Sequence, residues 1–352
     1  MNLETADSAL IDDLILHIGE EAVTTDPKML LSHSHDFGKI VDHQLPLAVV
    51  FAERVEDVQA TLRLAAAAGV KVVPRGAGTG VSGGAHATAR CIVLSLERMD
   101  RILEVRPEDE VAVVQPGVIN AVLNRSVAKY GLMYAPDPAS YQQSTIGGNV
   151  ATNAGGLRCA KYGVTTDSVL GLDVVLADGT LISTGRNTFK GVAGYDLTSL
   201  LVGSEGTLGI VVSVTVRLRY LSEKTCSIAA VFTDVAQAAA GVVAIARVRV
   251  QPAILELIDL GTMRVLDAAY GSDRIAERNR VMVRVVAHAG DGNLHPTFWV
   301  DPDDGDEGVA RLDIALEESI RAALAVGGTI TGEHGVGTAK RDWLAWEQSE
   351  EV

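Results

Sequence analysis

Cysteine is scarce in this chain: Cys91, Cys159 and Cys226 are the only three in 352 residues, far apart and without a Cys-x-x-Cys pair. That excludes a disulfide framework and an iron–sulfur cluster held by this chain, and it fits a reducing, cytoplasmic compartment. Positive charge is short as well. With 30 Lys and Arg against 45 Asp and Glu, the formal net charge is −15, a sign that repels nucleic acid and anionic membranes. No apolar run approaches the roughly 20 residues of a membrane span, and the opening residues Met1–Asp7 lack the basic stretch of a secretory leader. What is plentiful is apolar character, 47% of residues, enough at this length for a large core and two domains. Composition shifts near Leu221, which places the expected domains at 1–220 and 221–352.

Several of the 35 glycines fall in one run, Pro74-Arg75-Gly76-Ala77-Gly78-Thr79-Gly80-Val81-Ser82-Gly83-Gly84, directly after the strand-like Val70–Val73. Residues without a Cβ let backbone N–H groups converge on an anion, as a diphosphate requires. Gly78-x-Gly80-x-x-Gly83 also matches the dinucleotide fingerprint, with Glu97 near the position of a ribose-binding acid, so an NAD-linked dehydrogenase is one hypothesis. That motif needs a helix opening at its last glycine. Only Ala85–Arg90 separate Gly84 from the next strand-like run, Cys91–Leu96, which leaves no room for one. The loop is therefore expected to wrap a diphosphate without a crossover helix. Helical spacing over Glu53–Ala68 ends at Gly69 just before the first strand, and short β-branched runs follow at Val111–Val114, Leu172–Leu176 and Leu208–Val216. Beyond Leu221 the pattern predicts strands at Ser227–Phe232, Ala253–Ile258 and Val281–Ala287, and helices at Asp234–Ala246 and around Val309–Ala323, the last stopped by Gly327-Gly328.

A second glycine-rich segment runs from Pro136 to Gly156 and is rich in small hydroxyl and amide side chains that can line the edge of a flat ring. A long aperiodic loop in a compact domain is usually functional, and two such segments favour a large cofactor over a small anion. The ordered set Pro74–Gly84, Pro136–Gly156, Lys161-Tyr162-Gly163, Ala177–Thr180 and Gly194-Tyr195-Asp196-Leu197 with Gly203–Ile210 resembles the FAD-binding domain of the vanillyl-alcohol oxidase/p-cresol methylhydroxylase (PCMH) flavoproteins. Within that group it is most similar to the glycolate oxidase D-subunit and D-lactate dehydrogenase branch, the D-2-hydroxyacid dehydrogenases. The resemblance implies an α+β fold, with a two-part PCMH-type FAD-binding domain followed by a shortened α/β, ferredoxin-like substrate domain. It also implies that Pro74 and Arg75–Gly80 with Ser82, Gly83 and Gly84 bind the FAD diphosphate. Pro138, Ser144, Thr145, Gly148, Asn149 and Thr152 would line the flavin, and Glu205, Gly206 and Ile210 would meet the adenosine side. Ala77-Gly78 stands where some relatives carry a flavin-linking histidine, so the FAD is expected to be non-covalent.

His288-Ala289-Gly290-Asp291-Gly292-Asn293-Leu294-His295 forms the other chemical cluster. A tight turn at its glycines would bring two imidazoles to one point, and Thr331–Gly337 offers a further carboxylate and imidazole on a glycine-flanked turn. By resemblance, His288, His295 and Glu333 are metal ligands and His334 is the catalytic base. The donor set suits Zn, Mn or Fe. The implied reaction oxidises a small 2-hydroxyacid such as D-lactate or glycolate to its 2-oxoacid. The metal acidifies the hydroxyl, His334 takes its proton, and hydride passes to flavin N5. Electrons would leave for an external acceptor, by analogy a quinone, a cytochrome, an electron-transfer flavoprotein or an iron–sulfur subunit. His33 and His35 beside Asp36 read as a solvated turn, and His17, His43 and His86 receive no role.

Two departures from the family stand out. Relatives carry roughly a hundred more residues ahead of the His288 motif, including an arginine that clamps the substrate carboxylate, and they continue past the position of Val352. Here Asp267–Arg280 spans the first gap, with Arg274, Arg280 and Arg284 the nearest basic substitutes. An alternative function follows, a flavin-binding fragment or pseudoenzyme with impaired turnover.

Overall fold

The computed structural model describes residues 3–38, 43–222, 230, 232, 234–249, 251–258, 285–288, 293–296 and 305–349. They fall into two compact units, which do not follow a single cut in the chain. One contains Met1–Gly155, Gly163–Leu221 and Glu333–Asp342; the other contains Gly156–Tyr162, Ser222–Gly332 and Trp343–Val352.

The first unit opens with a four-stranded sheet of β1 (Val23–Thr24), β2 (Ala48–Phe51), β3 (Lys71–Arg75) and β4 (Cys91–Ser95), in the order β1-β2-β4-β3. Helix Val55–Ala67 forms because Val58, Leu62 and Ala65 repeat on one face. The Asp57 carboxylate accepts from the amides of Glu53 and Arg54 at 3.0 Å and closes its first turn. That face packs with Leu10 and Leu14 of helix Leu3–Ile18 against Val50, Ile92 and Leu94 of the sheet. Each such side chain contributes about 1.5–3 kcal/mol on burial. β3 lies parallel to β4, from Lys71 opposite Cys91 to Arg75 opposite Ser95, and the connection between them, 76–90, contains no helix. The glycine run is thus a loop projecting from the end of a buried sheet, as the short spacing to Cys91 requires.

The antiparallel second sheet has the order β5-β6-β10-β8-β9, from β5 (Ile102–Arg106), β6 (Val111–Val114), β8 (Val169–Val175), β9 (Leu181–Gly185) and β10 (Ile210–Arg217). A two-stranded ribbon of β7 (Leu132–Met133) and β11 (Arg219–Tyr220) adjoins it in sequence. Val114, Leu172, Val174, Val214 and Val216 fill its core together with Leu123 and Val127 of helix Asn120–Ala128. Ile146 and Val150, one helical turn apart on helix Ile146–Thr152, also enter this core. Their burial fixes the short helix that carries Gly148, Asn149 and Thr152.

In the second unit a sheet pairs β12 (Glu256–Ile258), β13 (Val285–His288) and β14 (Asn293–Pro296) in antiparallel order. Helices cover Val235–Arg247 and Gly305–Ala325, close to the expected spans. The Trp343 and Trp346 rings lie 6.3 Å apart, and the Arg321 guanidinium stacks over Trp346 at 3.9 Å. Most of the strand expected at Ser227–Phe232, the first half of that at Val281–Ala287 and the bridging segment Asp267–Arg280 lie outside the described residues. No helix among the described residues is long and apolar enough to cross a membrane. The mixed helix and sheet architecture is the α+β class expected from the sequence.

Candidate cofactor and catalytic site

A cavity of ≈ 500 Å³ opens within the first unit, between the glycine loop, helix Ile146–Thr152 and the turn leading into β10. Most of the residues expected at the cofactor line it: Pro74–Gly80, Ser82, Gly84, Pro138, Thr145, Gly148, Asn149, Thr152, Glu205, Gly206 and Ile210. Glu333 and His334 line the same cavity, although the chain reaches them more than a hundred residues later. Gly83 and Ser144 are not among the lining residues. Gly83 instead donates its amide to Asp36, and Ser144 is buried with its carbonyl accepting from the Asn120 amide.

The glycine loop has the donors an anion needs. Among the described residues, no amide from Ala77 through Ser82 donates to a protein acceptor. Gly78 adopts φ 67°, and a Cβ there would fall on the Arg75 guanidinium beneath it. At Gly76 a Cβ would fall on the Thr145 hydroxyl. Further along the cavity the buried Asn149 side-chain nitrogen has no partner. Buried polar atoms are rarely left so, and a bound group with acceptors at its edge would satisfy it. A glycine cradle with open amides, joined to a pocket with an unmatched donor, fits a dinucleotide with a heteroaromatic ring.

Sequence reasoning missed what lies beneath the loop. The turn around Asp36 is not a solvated one: Asp36 is 4% exposed and His86 5%. The Asp36 carboxylate accepts from Gly38 N at 2.7 Å, Gly83 N at 3.0 Å and His86 Nε2 at 2.9 Å. Phe37 N donates to Gly80 O, and Ala87 N to Ser34 O, so residues 34–38 are stitched along the loop. The Gly83 and His86 partners lie some fifty residues from Asp36, outside any local pattern. Arg75, 8% exposed, donates from Nη1 to the His35 carbonyl at 2.7 Å. Burial pulls its pKa below the ordinary arginine value, opposed by Glu97 and Asp36, and it stays cationic. Glu97 sits below the usual glutamate range, first through its hydrogen bond with His33, with Ser95 and Arg75 assisting and burial opposing. Replacing Asp36 by Ala strands two amides and an imidazole and is expected to lower stability by about 3 kcal/mol. Chemical denaturation of the variant checks this, and a loss under about 1 kcal/mol would contradict it.

At the other wall, His334 is 44% exposed at its side chain and Glu333 11%, with His334 Nε2 3.5 Å from Glu333 Oε1. Ser82 Oγ donates to the His334 carbonyl at 3.0 Å, tying this segment to the glycine loop. The Glu205 carboxylate, expected on the adenosine side, accepts from Val336 N at 2.7 Å and Gly337 N at 2.9 Å. Lys340 lies half-buried nearby, its pKa lowered by desolvation against the opposing pull of Glu205 and Glu333. For His288 and His295 the structure describes the backbone ladder alone. His288 lies opposite Asn293 and Glu256, and His295 opposite Val286, which sets the two histidines at diagonal positions of the backbone ladder. Among the described residues no group of three or more His, Cys, Asp and Glu side chains gathers to hold a metal ion.

The cavity and the fold around it define an FAD-linked oxidoreductase. The family model "FAD binding domain" matches residues 46–185, and "FAD linked oxidases, C-terminal domain" matches 221–277 and 264–352. Glycolate oxidase subunit GlcD of Bacillus subtilis is 34% identical over 396 residues, taking in 87% of this chain and 84% of that protein. D-2-hydroxyglutarate dehydrogenase of Stutzerimonas stutzeri is 42% identical over 212 residues, 60% of this chain and 46% of its own. The solved structure of p-cresol methylhydroxylase superposes with a TM-score of 0.60 at 21% identity, covering 70% of this chain and 50% of that one. The chain belongs to the FAD-linked oxidases, in the branch that holds the GlcD glycolate oxidase proteins and the D-lactate and D-2-hydroxyglutarate dehydrogenases.

Proposed function

We propose that this chain is an FAD-dependent dehydrogenase that oxidises a D-2-hydroxyacid, such as D-lactate or glycolate, to the 2-oxoacid. The observation that carries the reading is the convergence of Glu333 and His334 on the cavity lined by both glycine segments. Open amides of Ala77–Ser82 hold the FAD diphosphate, while Asn149 and its helix meet the ring edge. Glu205, Gly206 and Ile210 close the remaining wall. Bound non-covalently there, FAD supplies the two-electron acceptor for the hydride at substrate C2. His334 takes the hydroxyl proton onto its imidazole, and Glu333, with Oε1 at 3.5 Å from Nε2, balances the charge that forms. Proton and hydride together account for the two hydrogens lost from the alcohol carbon and oxygen. His288, His295 and Glu333 are the proposed ligands of a divalent Zn, Mn or Fe; no step above depends on it. The acceptor that reoxidises the flavin is an external quinone, cytochrome, electron-transfer flavoprotein or iron–sulfur subunit, and the setting is the cytoplasm.

A second reading, flavin binding without turnover, is favoured by one finding. The alignment to the Bacillus subtilis protein spans 396 positions but takes in 87% of 352 residues, about 306, so about 90 positions have no counterpart here. The C-terminal family model likewise matches in two stretches. One experiment separates the readings: flavin absorbance and elemental analysis on a purified sample, followed by dye reduction with D-lactate, glycolate and D-2-hydroxyglutarate. A yellow protein that reduces dye with at least one D-acid, and far more slowly with its L-isomer where one exists, is the expected result. A yellow, metal-loaded protein inert toward all three would sink the dehydrogenase.

A further inference from the structure

Glu205 holds a left-handed backbone conformation, φ 51°, immediately before Gly206. Side chains other than glycine resist that region, so surrounding contacts must hold it there. Its amide donates to the Ala151 carbonyl at 2.8 Å, and Gly203 N to Val150 O at 2.9 Å, which hangs the turn from the helix carrying Asn149. The carboxylate reaches the opposite way. Oε1 accepts from Val336 N at 2.7 Å and Gly337 N at 3.1 Å, and Oε2 from Gly337 N at 2.9 Å. Ser82 grips the same turn from the glycine loop. Its carbonyl accepts from Thr338 N at 3.0 Å and Ala339 N at 3.1 Å, and its hydroxyl donates to His334 O. The fit leaves no room for side chains: a Cβ at Gly335 would lie 2.7 Å from Glu205 Oε1, and one at Gly337 would overlap the Ser82 carbonyl.

We infer that Glu205 is a positioning residue for His334, its carboxylate and Ser82 together fixing the 334–339 turn so that the imidazole stands at a set place beside the cofactor. The inference rests on the proposed role of His334. It departs from the adenosine-side contact that the sequence motif implies for Glu205, and the two assignments differ in what they make measurable. An adenosine contact would govern FAD affinity. A positioning carboxylate governs turnover at saturating FAD and the protection of the amides it accepts from. Charge-assisted bonds from backbone N–H to a carboxylate are about twice as strong as neutral ones, so their loss should free the turn.

The test uses the full-length, flavin-loaded protein with Glu205→Ala and Glu205→Gln. A displacement of about 1 Å at a reacting group can cost about 100-fold, so Glu205→Ala is expected to lower kcat by roughly 30- to 100-fold with KM nearly unchanged. Glu205→Gln keeps a carbonyl oxygen for both amides and should recover most of that loss. Hydrogen exchange at Val336 and Gly337 should quicken at least tenfold in the Ala variant, while FAD affinity shifts by less than about threefold. If Glu205→Ala does not fold, Glu205→Asp, one methylene too short for the reach, serves the same comparison. Unchanged exchange and kcat with FAD affinity weakened tenfold or more would overturn the inference. Should the wild-type chain turn over no hydroxyacid, the dehydrogenase reading fails on its own. The exchange comparison still decides for or against Glu205.

Discussion

Replacing His334 by Gln is expected to lower kcat by about 100- to 10,000-fold while FAD remains bound, the usual contribution of a positioned general base. The backbone role of this residue, its carbonyl accepting from Ser82, survives the substitution, and the side chain is half-exposed rather than packed. Stability should therefore change little. With the imidazole gone, the hydroxyl proton loses its proposed acceptor, a loss felt in the transition state more than in binding, so KM should move less than kcat. Anaerobic mixing with substrate checks this directly: bleaching of the visible flavin band should slow in parallel with kcat, with the starting spectrum unaltered. A variant that reduces dye at wild-type rates would remove His334 from the chemistry.

A second large effect is expected in the cradle. Gly78→Val should weaken FAD binding by about 100-fold or more, because valine is strained at φ 67° and its Cβ would fall on the Arg75 guanidinium. Arg75 cannot step aside without giving up its bond to the His35 carbonyl and its place between Asp36 and Glu97. The loop must open instead, and the amides of Ala77–Ser82 lose their common focus. Gly69→Ala is the matched control, since Gly69 also has a positive φ, 63°, but nothing within 4 Å of an added methyl. That control should cost about 1 kcal/mol in stability and leave flavin affinity alone. Equal FAD affinity in the Gly78 variant and wild type, by fluorescence titration of apoprotein, would show that the loop does not hold the diphosphate.

Local rules made parts of this molecule readable from the chain and hid others. The glycine run, the strands on either side of it and the missing crossover helix were visible because they depend on residues within about twenty positions of one another. Helix Val55–Ala67 was visible for the same reason, its apolar stripe and its stop at Gly69 both being local. The Asp36–His86 pair was not visible. A histidine-rich turn looks solvated until the Gly83 amide, 47 residues on, is brought beneath it. Glu205 shows the same limit from another side. Its motif pointed to the nucleotide, while the amides it binds lie 131 and 132 residues further along the chain. Hydrogen-bond partners at such separations leave no periodic trace, and a single sequence does not reveal them.

The return of Glu333–Asp342 into the first unit sets an order of events for biosynthesis. Ser82 and Glu205 emerge from the ribosome long before the turn they bind, so the nascent flavin domain holds unmet acceptors until residues 336–339 have followed. Contacts of such high sequence separation are slow to close. A stalled or clipped chain ending before Glu333 would keep both sheets and the glycine cradle. It would lack Glu333 and His334 from the lining of the cavity, so the cofactor pocket is finished only once this distant segment has docked.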